Sequence, residues 1–258
     1  MSVRIHPSAI VDPGASLGTD VDIGPFAIVG PSVIIGDGCQ IAARATLERN
    51  VRLGAGVSIG IGSILGGEPQ DLKFGGEETW VEVGEGTRIR EYSTINRGTV
   101  ASGATTIGTD CFVMSYVHLA HDCHVGNGVI IANGTQLAGH VTVRDRAILS
   151  GLVAVHQFVT IGSMAFIGGC SRVNQDIPPF VKAVGNPVEL YGLNTIGLRR
   201  ANYPPETISA LKRAYRLFFN SDLNLSQAQE RARQECPPLP EVDSLLEFVA
   251  SSARGIPA

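Results

Sequence analysis

Every sixth residue from Ile5 to Leu65 is Ile, Leu or Val, and the same register returns at Val83 and runs to Val173. Of the 29 positions in this series, 26 carry one of the three aliphatics, the exceptions being Asp71, Glu77 and Ala101. An α-helix repeats its faces every 3.6 residues and cannot hold such a column inside, whereas a short strand with a sharp corner every six residues can. The residue two before each aliphatic is small or β-branched, as at Ala9, Val21, Val57, Val117 and Ala165, so a second inward column runs beside the first. Cys39, Cys111 and Cys123 stand in it and read as small core residues. Glycine often follows the aliphatic, as at Gly18, Gly24, Gly30 and Gly36, where freedom to take positive φ in a turn is the expected reason.

Three such units close a triangle, and successive triangles stack as parallel strands about 4.8 Å apart. The expected body is therefore an all-β parallel β-helix, a triangular prism of hexapeptide repeats. Handedness does not follow from the period, since parallel crossovers in general favour the right hand. The rest of the composition narrows the partners. Net charge is -4 with no block of like charge, which argues against a nucleic-acid groove or an anionic membrane. Charged or glycine residues interrupt every apolar stretch, and the start Met-Ser-Val-Arg-Ile-His-Pro lacks an apolar leader, so no membrane span and a cytoplasmic location are expected. Five cysteines without CxxC spacing fit reduced thiols.

The column lapses twice, and extruded loops are expected near 66–82 and 101–106. With these removed, Leu65, Ile95, Leu119, Leu137, Val155 and Val173 stack at one corner, and both loops leave from it. The same corner carries His121, Gly139, His140, His156 and Gln157, and His118 lies in the same three coils. Gly139 lies one coil, 18 residues, beyond His121, which brings a backbone N–H to the imidazole as an oxyanion donor requires. A single corner histidine is ordinarily a solvated turn residue. Three coils of them beside two loops point instead to a site, with His121 the candidate general base. Imidazoles also bind zinc. No second histidine precedes His140 at short spacing and Cys123 points inward, so no metal is expected here.

After Val173 the period gives way to Asp176-Ile-Pro-Pro-Phe and Gly185-Asn-Pro, turn chemistry that marks a boundary. The chain divides into a prism over 1–188 and a small C-terminal α-helical domain over 189–258. Ile208, Leu211, Tyr215, Phe218 and Phe219 form one apolar helical stripe and Val242, Leu245, Leu246 and Val249 another, while Ser226 with Gln229 reads as a capping box. Arg199, Arg200, Lys212, Arg213 and Arg216 form a basic cluster, either a solvated helix face or a dock for an acidic protein or a nucleotide.

The hexad resembles the hexapeptide acyltransferase superfamily, whose prisms are left-handed and usually trimeric. More narrowly, His118-Leu-Ala-His121-Asp-Cys-His124, Pro69-Gln-Asp-Leu-Lys-Phe74, Ile95-Asn-Arg-Gly-Thr99, Leu137-Ala-Gly-His140, Ala154-Val-His-Gln-Phe158 and Gly192-Leu-Asn-Thr are similar to the UDP-N-acetylglucosamine O-acyltransferases that begin lipid A synthesis. These motifs span most of the chain. The resemblance implies a homotrimer that moves a (R)-3-hydroxyacyl group from acyl carrier protein to the glucosamine 3-hydroxyl of UDP-N-acetylglucosamine. It implies no cofactor of its own, the donor riding on the carrier's phosphopantetheine. His121 would be the base, Asp122 its partner and the Gly139 N–H the oxyanion donor. Asp71, Lys73, His118, His140, His156, Gln157, Asn194 and Arg200 match positions that hold sugar, acyl chain and nucleotide. Gly169 matches a position that limits acyl length, its missing side chain implying a longer chain. Ile196 and Ala201 stand where many members carry a glutamate and a second arginine.

Three other readings compete. An N-acyltransferase of the same pathway carries an additional N-terminal domain, whereas here repeats begin at Ile5. A coenzyme A dependent acetyltransferase shares the prism without the helical tail and the first loop's motif. A non-catalytic scaffold would have uniform polar faces without corner loops.

Overall fold

The structure, a computed structural model, describes residues 2–257. From β1 (Arg4–Ile5) to β26 (Arg172–Val173) the chain makes 26 short strands, one for each aliphatic hexad position. Every third strand pairs in parallel with its predecessor on the same face, as Ile5 does with Ile23 and Leu119 with Leu137. Three faces result, of eleven, nine and eight strands, wound as a left-handed parallel β-helix. Each strand turns its second column and its aliphatic inward, so Val21, Ile23, Val117 and Leu119 are all buried. Burial of each such aliphatic contributes roughly 1.5–3 kcal/mol.

The glycine column has a different cause from the expected one. Positive φ falls two residues later in most corners and is mostly carried by other residues, among them Asp20, Phe26, Ser32, Arg44 and Asp122. Gly30 is glycine because the next coil passes against it: a Cβ there would stand 1.7 Å from the Glu48 carbonyl oxygen. Close stacking of coils, and not the turn conformation, excludes a side chain.

The lapses in the column are extrusions, the first shorter than expected and the second beginning and ending earlier than expected. β11 (Ile64–Gly67) leads into a loop over 68–79, and pairing resumes in β12 (Trp80–Val83). β14 (Thr94–Asn96) leads into a loop over 97–103, and β15 (Ala104–Ile107) follows. The expected limits of 82 and 106 ran too far because the ladder is made by backbone and does not need the column's aliphatics: buried Val81 and Thr105, two before the column, carry it before the hexad returns. Both loops leave the same edge, between the second and third faces.

At its N-terminal end the prism is open, with Val3 42% and Ile5 46% exposed. The other end is covered. β27 (Val181–Val184) continues the first face and β28 (Glu189–Leu193) folds back antiparallel to it. A division at 188 thus falls in the turn of a hairpin, and the helical part starts with α1 (Thr195–Arg200). α2 (Pro205–Phe219), α3 (Leu225–Glu235) and α4 (Pro240–Ser251) follow. Leu198, Leu211, Ala214, Leu245 and Val249 form their core together with Met164 and Phe180 of the coil region, so the helices are seated on the prism. The capping box of α3 is Asn224 with Gln227, two residues before the expected Ser226 and Gln229. Asn caps at least as well as Ser, and the earlier pair wins the register. No described helix is long and apolar enough to cross a membrane.

Candidate active site

The edge between the second and third faces repeats with the coil. β17 (His118–Leu119), β20 (Gln136–Leu137) and β23 (Ala154–Val155) are neighbours on the second face. The corners that follow them stack His121, Gly139 and Gln157 in one row and Asp122, His140 and Phe158 in the next. Asp122, His140 and Phe158 all sit at positive φ, the tightest point of the corner.

Asp122 is 1% exposed and accepts a 2.8 Å hydrogen bond at Oδ2 from His121 Nδ1. Neighbouring residues achieve this because the turn between them folds the carboxylate back under the ring. Burial pushes the Asp122 carboxyl up, but hydrogen bonds from Ser102, His121 and Thr99 together outweigh it and hold the group ionised, well below the usual carboxylate range. His140 Nε2 stands 3.7 Å from the same Oδ2, its ring edge-on to His121 and stacked on Phe158 at 4.4 Å between centroids.

Gly139 faces the other side of the His121 ring. A Cβ there would lie 2.7 Å from Cε1 and 2.8 Å from Nε2. Its N–H meets no acceptor among the described residues, while its carbonyl accepts from Phe158 N. The result is an imidazole whose Nδ1 is tied to a buried carboxylate, whose Nε2 is bare, and beside which stands an unused backbone donor. That set can take a proton from a hydroxyl and stabilise an oxyanion.

His118 lies on the second face, hydrogen-bonded through Nδ1 to Thr94 Oγ1 at 2.7 Å. Burial lowers its pKa against the smaller opposing effect of the Thr94 bond, so it is neutral near pH 7. His156 and Gln157 are exposed one coil further on, with Arg254 Nη2 3.2 Å from His156 Nδ1. Asp71 and Lys73 sit in the first loop, where Asp71 Oδ1 accepts from Lys73 N, and Phe74 packs on the Arg97 guanidinium of the second loop.

His121, Asp122 and His140 form the one group among the described residues whose ligand atoms could reach a metal ion. The sequence argument overlooked it by leaving out Asp122. The carboxylate is, however, already filled by hydrogen-bond donors, which a cation would have to displace.

The remaining candidates lie elsewhere on the molecule. Asn194 caps α1, accepting from Gly197 N and donating to Met164 O. With Arg200, Arg146 and Lys182 it lines a cavity of about 770 Å³ against the first face, floored by Ile130, Ile148 and Phe166. Gly169 is exposed at a third place, the edge between the first and second faces, after β25 (Phe166–Ile167). One chain therefore brings His118, His121, Asp122, Gly139, His140, His156 and Gln157 to a single edge and leaves Asn194, Arg200 and Gly169 on other sides. Thr99, Ser102 and Phe158 were missed. Phe158 left a signal in its spacing of 18 from His140, and Thr99 closed a motif for which no role had been read.

Two family descriptions match the chain: the UDP-N-acetylglucosamine O-acyltransferase domain 2 over residues 176–257, and the bacterial transferase hexapeptide over 104–139. The acyl-[acyl-carrier-protein]–UDP-N-acetylglucosamine O-acyltransferases of Burkholderia lata and Burkholderia mallei are 47% and 49% identical to it, over 98% of this chain and 98% of theirs. Among solved structures, a UDP-N-acetylglucosamine acyltransferase from Bacteroides fragilis superposes with a TM-score of 0.97 at 41% identity, covering 98% of this chain and 100% of that one. That from Campylobacter jejuni gives 0.93 at 36% identity, covering 99% of both.

Proposed function

This chain belongs to the acyl-[acyl-carrier-protein]–UDP-N-acetylglucosamine O-acyltransferase family and is an O-acyltransferase, and we propose that it transfers a (R)-3-hydroxyacyl chain from acyl carrier protein to the glucosamine 3-hydroxyl of UDP-N-acetylglucosamine, the first step of lipid A synthesis. The observation that carries the chemistry is the His121 ring held between Asp122 Oδ2 and the Gly139 backbone. Nε2 takes the hydroxyl proton as the sugar oxygen attacks the thioester carbonyl. The oxyanion accepts from the Gly139 N–H; on its collapse the C–S bond breaks, and the phosphopantetheine thiol leaves with the proton from His121. The products are the sugar ester and free carrier thiol, and no cofactor of the enzyme's own takes part.

His118, His140, His156 and Gln157 line the edge where the sugar and acyl chain would lie, and Asp71 and Lys73 overhang it from the first loop. Asn194 and Arg200 serve the nucleotide, and Gly169 sets acyl length by leaving room. Because these last three lie on other sides of the prism, the complete site requires neighbouring copies, which fits a homotrimer with each cleft between two subunits. A nucleotide sugar and a carrier protein as substrates place the reaction in the cytoplasm.

The test is His121→Ala, assayed with 3-hydroxyacyl carrier protein and UDP-N-acetylglucosamine. Loss of a histidine base lowers kcat by about 10²- to 10⁴-fold. Wild-type turnover in the folded variant would remove the mechanism.

A further inference from the structure

We propose that Thr99 and Ser102 are positioning residues for the His121–Asp122 pair, the second extruded loop acting as a clamp that decides which imidazole nitrogen carries the proton. The inference rests on the reading of His121 as the base. Asp122 Oδ1 accepts from Thr99 N at 2.9 Å and from Ser102 Oγ at 2.5 Å. Oδ2 accepts from Thr99 Oγ1 at 2.8 Å and from His121 Nδ1 at 2.8 Å. A carboxylate offers about four acceptor directions, and all are taken.

Both hydroxyls are themselves directed. Thr99 Oγ1 accepts from Ala101 N at 3.2 Å, which leaves its proton for the carboxylate. The Ser102 hydroxyl also lies 2.9 Å from Ala104 O, but its single proton serves the closer and charged acceptor. The loop that presents them is rigid by construction. Gly103 N closes a turn onto Thr99 O at 2.8 Å, and Gly98 lies so close to Ala104 that a Cβ would stand 2.6 Å from its nitrogen. Beneath it, Arg97 is 3% exposed and donates through Nε to Gly66 O.

The consequence concerns the tautomer. An ionised carboxylate cannot donate, so its partner nitrogen must hold a proton, and Nε2 is left as the lone-pair nitrogen. Without the clamp two alternatives open: Asp122 can turn toward His140 Nε2, now 3.7 Å from Oδ2, or His121 can carry its proton on Nε2 and be unfit as a base. The hexad alone would run the corner through without an insertion. The inserted loop instead spends three of its hydrogen bonds on one side chain.

Thr99→Val, which keeps the backbone N–H and removes the hydroxyl, and Ser102→Ala test this singly and together. Readouts are kcat, KM for UDP-N-acetylglucosamine and for the acyl carrier donor, and the ¹⁵N shifts of His121 in histidine-labelled enzyme. Removing a hydrogen bond to a charged group should lower kcat roughly tenfold per variant, with each KM held within about twofold. The His121 shifts should move from a single Nδ1–H form to a mixture, and Thr99→Ser should restore both readouts. In an Asp122→Asn background, adding Thr99→Val should lower kcat no further.

Wild-type kcat with unchanged ¹⁵N shifts in the double variant would overturn the clamp. So would the same fractional loss in the Asp122→Asn background, or a loss confined to KM. Should Thr99→Val not fold, Ser102→Ala at the loop's outer side gives the same readouts. Full turnover by His121→Ala removes the base and the clamp together; wild-type kcat and ¹⁵N shifts in the double variant beside a crippled His121→Ala remove the clamp alone.

Discussion

A methyl group at Gly139 would meet His121 at 2.7 Å from Cε1 and 2.8 Å from Nε2, and the ring would have to leave its line with Asp122. Gly139→Ala needs no unusual backbone and keeps the N–H, so it separates placement from donor chemistry. Displacement of about 1 Å in a catalytic group costs on the order of 10²-fold in rate. We expect that loss in kcat with a melting temperature close to wild type, and unchanged kcat would mean that the ring is not where the proton moves. At this scale the sequence was informative wherever stacking sets the contact. His121, Gly139 and Gln157 share one spacing, as do Asp122, His140 and Phe158. Thr99 and Ser102 were illegible because an extruded loop has no period, and its contacts are settled by backbone turns that the residue types do not announce.

Elements are set by local chemistry, and α3 illustrates both the reach and the limit of reading it. Asn224 accepts from Gln227 N at 3.0 Å while the Gln227 side chain returns to Asn224 N at 3.1 Å. Ser226 and Gln229 have the same spacing and lie inside the helix, so spacing alone could not choose between two overlapping boxes. Asn224→Ala should destabilise the protein by about 1 kcal/mol. Ser226→Ala should stay within about 0.5 kcal/mol as an ordinary surface change. Urea unfolding of the two variants checks this, and equal midpoints would return the cap to the later pair. The strands were legible for a simpler reason: the hexad fixes both the inward column and the corner. The glycines between them were misread because their cause lies in the neighbouring coil, not in their own turn.

For the molecule as a whole, position is counted in sixes. Leu65 pairs with Ile95 and Ile95 with Leu119, so the two loops add twelve and six residues to the 18 of a plain coil. Removal of residues 68–79 restores the hexad from Leu65 to Val83 without a shift. That variant should keep its strand circular dichroism and lose most of its acyl transfer, because Asp71 and Lys73 go with the loop. A chain that lost its β signal, or transferred at the wild-type rate, would contradict this. The split of candidate residues among three sides of the prism could not be read from the period, which stacks one chain on itself and says nothing of neighbours. The contact between Arg254 and His156 joins residues 98 apart, and Ser252 and Arg254 also hold Asp176 through its Oδ2. During synthesis the coils can stack one by one as they leave the ribosome, N-terminal end first. His156 gains its brace only when residue 254 has been made, so the edge that would do the chemistry is among the last parts of the protein to be finished.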